Sequence, residues 1–292
     1  MGDLPIPPAE VRAVLGSFFF ACNQITVRRL MDRSSAMTAT LWVNAWMGVA
    51  ALALSPFVDS YAGSPWLAVG MFLAVGLVGN AVARYSSYRS HMEVGVGRTN
   101  ALVAASPIGA VIIGMALLGE RPSLRVWLGV ALVVGGMVLL TSERGGERRP
   151  LAKYTFAFMS TAAFAVTPYL RKMGLLSMDA PFLGIAISAF MANLMLLGTS
   201  RFMESSQRFR WDAEVMWGAF PSGLLAILAA VNYWTALRDG SLSVIAPLIR
   251  LGPIFVLLLS FLFLRGREVI TRRVVASTVA VVAGAALVTS GR

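Results

Sequence analysis

Acid–base, thiol and metal chemistry have little to work with in this chain. One cysteine (Cys22), one histidine (His91) and 14 acidic residues are all that 292 positions supply. A single cysteine excludes an intrachain disulfide and any cysteine-built metal site. A single histidine removes the His-rich metal motifs and the Ser–His and Cys–His catalytic sets. Charge is scarce as well, at 13% of residues, against about 25% in soluble domains. So few charges cannot cover a water-facing surface of this size. No cofactor or metal site is therefore expected, and a membrane enzyme, which would cluster His, Asp, Glu or Cys at a span end, is disfavoured.

What is abundant is apolar. Hydrophobic residues make up 57% of the chain and mean hydropathy is +0.73. A bilayer core about 30 Å thick needs roughly 20 helical residues to cross. Apolar runs of that length lie near residues 11–30, 36–56, 65–88, 98–118, 123–141, 151–173, 181–200, 213–237, 242–264 and 270–289. Ten transmembrane helices joined by short connections leave no room for a separate soluble domain. The N-terminal stretch Met1–Glu10 contains Asp3 and Glu10 and has no basic segment of the kind that opens a signal peptide.

Net charge is +11. The cations sit at the ends of apolar runs, so they are read as topology signals and not as a nucleic-acid surface. Odd-numbered connections hold Arg28, Arg29, Arg33, Arg89, Arg144, Arg148, Arg149, Lys153 and the arginines around 201–210 and 265–273. Even-numbered connections hold fewer: Arg121, Arg125, Arg171, Lys172 and Arg238. The count puts both termini outside.

Residues 88–142 and 233–290 share a layout. An aromatic (Tyr88, Tyr233) is followed about 20 residues later by a proline (Pro107, Pro253). A charged hinge comes next, L-L-G-E-R-P-S (Leu117 to Ser123) or F-L-R-G-R-E-V (Phe263 to Val269), and each half closes on a small-residue helix ending Thr-Ser. A-C-N-Q-I-T-V-R-R (Ala21 to Arg29) likewise parallels A-F-A-V-T-P-Y-L-R (Ala163 to Arg171). The halves are 1–143 and 151–290. A repeated unit of five spans must enter the membrane in opposite directions. The fold class expected is an all-α membrane protein of two inverted five-helix repeats around a central cavity, an architecture common among secondary transporters.

The first-span segment C-N-Q-I-T-V-R-R, the block S-P-I-G…L-L-G-E-R-P-S-L…G-V-A-L-V-V-G-G-M-V-L-L and its weaker echo in the second half resemble the EamA-type ten-helix members of the drug/metabolite transporter superfamily. The resemblance covers nearly the whole chain. It implies a multi-pass carrier of the bacterial inner membrane that exports amino acids or related metabolites by alternating access. Two departures stand out. The second half has L-R-G-R-E where L-G-E is usual, and the connection between spans two and three, P-F-V-D-S-Y-A-G-S-P, has no Lys or Arg. Family members commonly have cytoplasmic termini, opposite to the charge count.

Arg250 is the sharpest candidate for substrate contact. It falls about eight residues into span nine, roughly 12 Å deep, where a charge costs at least about 2.5–3.5 kcal/mol unless it meets water or a partner. A cavity guanidinium can grip a carboxylate or phosphate bidentately. The alternative is an arginine bonded to carbonyls or snorkelling to the surface. Pro247 and Pro253 flank it and, with Pro107 of span four, mark helix breaks. Asn23, Asn80 and Asn232 are the amides assigned to the cavity, with Arg84, Tyr85, Tyr88, Tyr233 and Trp234 as further wall residues. Other buried amides serve as interhelical bonds, and small residues four apart (Gly97 to Gly109, Ala276 to Gly284) allow close helix contact.

No Asp or Glu lies deep in any span. This disfavours export of organic cations and favours a small-molecule substrate, anionic or zwitterionic. The alternative on the same fold is a flippase for a lipid-linked or amphipathic substrate. The expected partners are this solute and membrane lipid, with no nucleic acid, and the protein is a monomer or a homodimer.

Overall fold

The computed structural model describes residues 7–31, 33–94, 96–141, 150–200, 209, 211–263 and 272–291. Ten helical spans run through them. They are α1 (Ala9–Met31), α2 (Ala36–Val58), α3 (Pro65–Ala74, Val75–Val82 and Ala83–Val94 end to end), α4a and α4b (Val96–Val103, Ser106–Leu118) and α5 (Leu124–Thr141). The second set is α6 (Thr155–Ser177), α7 (Pro181–Thr199), α8a and α8b (Ala213–Gly218, Phe220–Asp239), α9a and α9b (Leu242–Ile249, Gly252–Phe263) and α10 (Arg272–Ser290).

Local chemistry sets the ends. Ser35 caps α2 by accepting from the Thr38 N–H at 3.1 Å, and Asp212 caps α8a through the N–H groups of Glu214 and Val215. Pro65 and Pro181 open α3 and α7, where a missing N–H does no harm. Gly119 ends α4b with φ of 67°, a left-handed turn that glycine adopts without strain. Sixth-span register differs from the sequence expectation. Leu151–Tyr154 forms a 3₁₀ turn, so α6 begins and ends four residues later than 151–173, and Arg171 and Lys172 stand more than a turn before its end.

Five helices are both long and apolar enough to cross a membrane by length and composition: Met37–Val58, Pro65–Val82, Ala101–Leu118, Pro181–Thr199 and Ala213–Asp239. Spans α1 and α6 are as long but carry more polar groups.

Packing follows a two-fold rule in which each helix n has an equivalent n+5. Helix α5 pairs with α10, α2 with α7, and α4b with α9a. The α1–α8b contact has its image in α6–α3, and α1–α9 in α6–α4. Each of these three equivalent pairs runs antiparallel. Asn44 and Asn193 meet midway along α2 and α7, while Asp59, just past the end of α2, reaches the start of α7. Gly129 lies against Gly284 and Ser123 against Gly291. Ser106 contacts Arg250, and Glu120 contacts Leu242. Antiparallel equivalents mean inverted repeats, so the fold class expected from the sequence is the one observed. Small residues permit the closest of these contacts: a Cβ on either Gly129 or Gly284 would stand 2.7 Å from the other's carbonyl oxygen.

Candidate functional site

The bundle encloses a central hollow of about 490 Å³. Helices α1, α2, α3, α4, α6, α7, α8 and α9 line it, while α5 and α10 pack outside. One end is sealed. Ala13, Leu237, Leu242, Ile245 and Leu248 form one buried apolar cluster there, and Phe72, Val75, Leu175, Met178 and Ile185 form another. Polar ties lie beyond them. Arg12 Nη2 donates to Asp239 at 2.5 Å, and Arg238 bridges Asp239 (2.7 Å) and Asp179 (2.8 Å). Asp59 accepts from the Phe182 and Leu183 N–H groups at 3.1 and 2.7 Å, capping α7. Backbone bonds Ser60 N–H to Asp179 O and Ser64 N–H to Ser177 O join the 2–3 and 6–7 connections.

The opposite end is less tied. An apolar cluster of Leu30, Ala39, Val43, Val215 and Ala219 joins only α1, α2 and α8. Ion pairs among the described residues there are Arg33–Glu214, about three-quarters exposed on both sides, and Arg89–Glu93 within one helix. The wall reaches toward that end through Val27, Thr40 and Ser87. Among the described residues the hollow is therefore a cup, closed where α1 starts and open where α1 finishes.

Two broken helices shape its floor. Pro107 and Pro253 are the second residues of α4b and α9b, so neither sits mid-helix; each begins a new half-helix. Lacking an N–H, each leaves the carbonyl four residues earlier without its helical donor. At both breaks the chain tightens to three-residue bonds, Ala105 N–H to Leu102 O and Arg250 N–H to Pro247 O, both 3.0 Å. The breaks face one another, and Arg250 Nη2 donates to Ser106 Oγ at 2.9 Å across the gap. The guanidinium also stacks on Phe164, 5.0 Å from its ring centre. Pro247 lies inside α9a, one turn before the break.

Several sequence-predicted residues line the hollow: Arg250, Asn23, Asn80, Tyr233 and Trp234, with Pro107. Asn23 is buried and its Oδ1 accepts no hydrogen bond among the described residues. Asn80 sits in the π-helical stretch of α3 and donates weakly to Ser188 O at 3.4 Å. Trp234 is buried and its ring lies against Gly184. Asn232 is a correction: it is no part of the wall, and its Nδ2 donates to Leu228 O at 2.9 Å on its own helix. The wall residues of α8b are Ala226, Ala229, Ala230, Tyr233 and Trp234, one helical stripe from which Asn232 is turned away. The side chains of Arg84, Tyr85, Tyr88 and Pro253 lie outside the described residues.

Arg171 is the principal wall residue that the sequence reading missed. Placed in a connection by the charge count, it lies within α6 and lines the hollow, its guanidinium over Tyr233 (4.7 Å) and Trp234 (5.4 Å). Its alignment with the first-span motif was the available signal. Neighbouring Lys172 turns the other way and donates to the last carbonyls of α8b, Leu237 O at 3.1 Å and Gly240 O. Gln24 and Asn44 are also in the wall, though Asn44 Nδ2 is spent on Asn193.

Glu120, of the L-G-E segment, is structural. Its carboxylate accepts from Leu242 N–H (2.6 Å), Ser243 N–H (2.8 Å) and Ser243 Oγ (2.5 Å), capping α9a from the other half.

A multi-pass helical membrane protein with inverted repeats and a polar cup between them is the architecture of a secondary transporter. The sequence profile of the EamA-like transporter family matches residues 8–142 and 151–290, and the chain belongs to that family. It is thus a membrane transporter of the drug/metabolite superfamily. No curated protein matches the sequence. A solved crystal structure superposes with a TM-score of 0.73 over 97% of this chain and 95% of that one. At 16% identity that likeness concerns the fold alone.

Proposed function

We propose that the protein exports a small polar metabolite, amino-acid-like or an organic acid, across the bacterial inner membrane by alternating access. The carrying observation is the composition of the cup. Arg171 and Arg250 both face it with amides and hydroxyls, and among the described residues no carboxylate lines it. The sequence places no acid deep in any span, so a carboxylate-bearing substrate is the ligand that this lining favours.

Direction follows from charge. The odd-numbered connections lie at the open end, and with Arg171 and Lys172 withdrawn into α6 the arginine excess there grows. Positive ends favour the cytoplasm, so the cup faces the side from which an exporter loads. Walls from eight spans favour a solute entering from water over a lipid-linked substrate sliding in sideways. Uptake by purified protein in liposomes tests the reading. Amino and organic acids are expected to move in a protein-dependent way and Arg250→Ala to lose most of the rate. Wild-type rates in Arg250→Ala would remove the assigned role.

A further inference from the structure

We infer that Asn80, Thr167 and Ser188, with Asn23, form an acceptor-rich subsite of the hollow that takes the ammonium group of a zwitterionic substrate whose carboxylate lies at Arg250. The inference rests on the transporter reading and deepens it by choosing amino-bearing acids over plain organic acids.

All four side chains line the hollow. Three of them turn protons into the protein. Thr167 Oγ1 donates to Ala163 O at 2.7 Å, and Ser188 Oγ donates to Ile185 O at 3.0 Å. Asn80 Nδ2 donates to Ser188 O at 3.4 Å. A backbone carbonyl can only accept, so each bond fixes which end of the polar group faces the protein. Two hydroxyl oxygens and an amide oxygen are left to present lone pairs. Asn23 adds a fourth acceptor. It is 9% exposed, and its buried Oδ1 accepts no hydrogen bond among the described residues. An acceptor buried without a donor is costly, and a donor carried by the ligand removes that cost.

Packing brings the subsite together and sets it beside Arg250. Gly79 stands against Thr167, where an added Cβ would come within 2.8 Å of Oγ1, and the next residue, Asn80, reaches Ser188. Helix α3 thus joins α6 and α7 at this level. Phe164 and Thr167 are three residues apart on α6, neighbours on one face and about 4.5 Å apart along its axis. Phe164 is the ring beneath the Arg250 guanidinium, so the acceptors begin one helical turn from the anion-binding group. Arg171, a turn beyond Thr167, is laid over Tyr233 and Trp234. A guanidinium only donates and cannot hold an ammonium, while neutral oxygens hold an ammonium through its three N–H donors. The lining therefore orients a small zwitterion one way round, in about 490 Å³ of space.

The test is equilibrium binding to the purified full-length protein by calorimetry, with two sets of probes. One set is alanine, propionate and N,N,N-trimethylalanine; the other is γ-aminobutyrate, butyrate and its γ-trimethylammonium analogue. The second member of each set lacks the nitrogen, and the third keeps its charge but has no N–H. In at least one set the ammonium acid is expected to bind about tenfold or more tightly than both companions, and that set reports the spacing of the two subsites. Deaminated or trimethylated probes that bind as tightly as the ammonium acid in both sets, or no binding by either ammonium acid, would overturn the inference without any variant having to fold. Asn80→Leu and Thr167→Val should each lower the ratio several-fold, and an undiminished ratio in both would overturn the assignment to these residues. Binding needs no turnover. Ammonium selectivity without vesicle uptake would therefore sink the transport reading alone, and uptake of propionate or butyrate as fast as their amino counterparts would sink this one alone.

Discussion

Glu120→Ala should loosen the join between the two halves more than any other single loss at the sealed end. The carboxylate accepts three hydrogen bonds from the first turn of α9a. Leu242 is fully buried and Ser243 nearly so, so water cannot readily replace the lost acceptor. A buried N–H left unmade costs about 1–3 kcal/mol. Two such groups, together with a lost charge at a helix N-terminus, come to about 3 kcal/mol, because Glu120 is itself half-buried and part of the penalty is screened. At roughly 2–4 °C per kcal/mol the melting temperature should fall by about 6–12 °C. Glu120→Gln keeps one acceptor oxygen and should lose about half as much. The measurement is thermal unfolding of detergent-solubilised protein, followed by vesicle uptake at a temperature where the variant stays folded. Uptake should also drop, because α9a positions Arg250 at its far end. A Glu120→Ala protein that melts and transports like wild type would refute the assignment of the L-G-E carboxylate to capping.

Other outcomes follow from the same geometry. Gly284→Leu should lower stability by about 1–3 kcal/mol through overpacking against Gly129, whereas Gly135→Ala, with nothing within 4 Å of its added methyl, should leave the melting curve unchanged. Asn23→Leu should weaken ligand binding at little expense in stability, since Oδ1 makes no bond among the described residues; Asn193→Leu should do the reverse, because its amide joins α2 and α7, and unfolding curves beside binding isotherms separate the two. In a Cys22→Ala background, a single cysteine at Ser34 should react with impermeant maleimide only from the cytoplasmic side and one at Ser60 only from outside. The opposite pattern would reverse the proposed orientation.

The number and placement of the spans were legible because a bilayer imposes length and apolarity directly on sequence. The repeat was legible because its punctuation, Ser106-Pro107 and Gly252-Pro253, recurs at the two helix breaks. Arg250 was legible as a deep charge. Arg171 was not, because an Arg-Lys pair near the end of an apolar run reads as a membrane boundary, and a 3₁₀ turn moved that boundary by four residues. Asn232 was misread through adjacency to Tyr233 and Trp234. At 100° per residue these three cannot share a face, and the spacing of Ala226, Ala229, Ala230, Tyr233 and Trp234 already defines the stripe it leaves. The π-helical stretch that holds Asn80 had no visible sequence signal, since Val75–Val82 reads like any apolar helix. Glu120 was quoted as a motif residue, but its partners lie 122 and 123 residues away and only the fold brings them together.

The two ends of the cup are held by different chemistry, and this bears on how a carrier of this design would move. At the sealed end, carboxylates Asp59 and Glu120 from the first half cap helices of the second, and Asp239 from the second half holds Arg12 of the first. Inversion puts the second-half counterparts of Asp59 and Glu120 at the open end. There the sequence offers Arg201 and Glu204 after α7 and Arg265, Arg267 and Glu268 after α9b, all outside the described residues and together net positive. Closing the open end would crowd cations around a cup that already holds two. If the proposed anionic ligand neutralises the floor, the loaded protein is expected to close more readily than the empty one. A cysteine at Ser34 should therefore label more slowly when a binding anion is present. Labelling that is equally fast with and without it, at saturating ligand, would show that charge in the cup does not govern the movement.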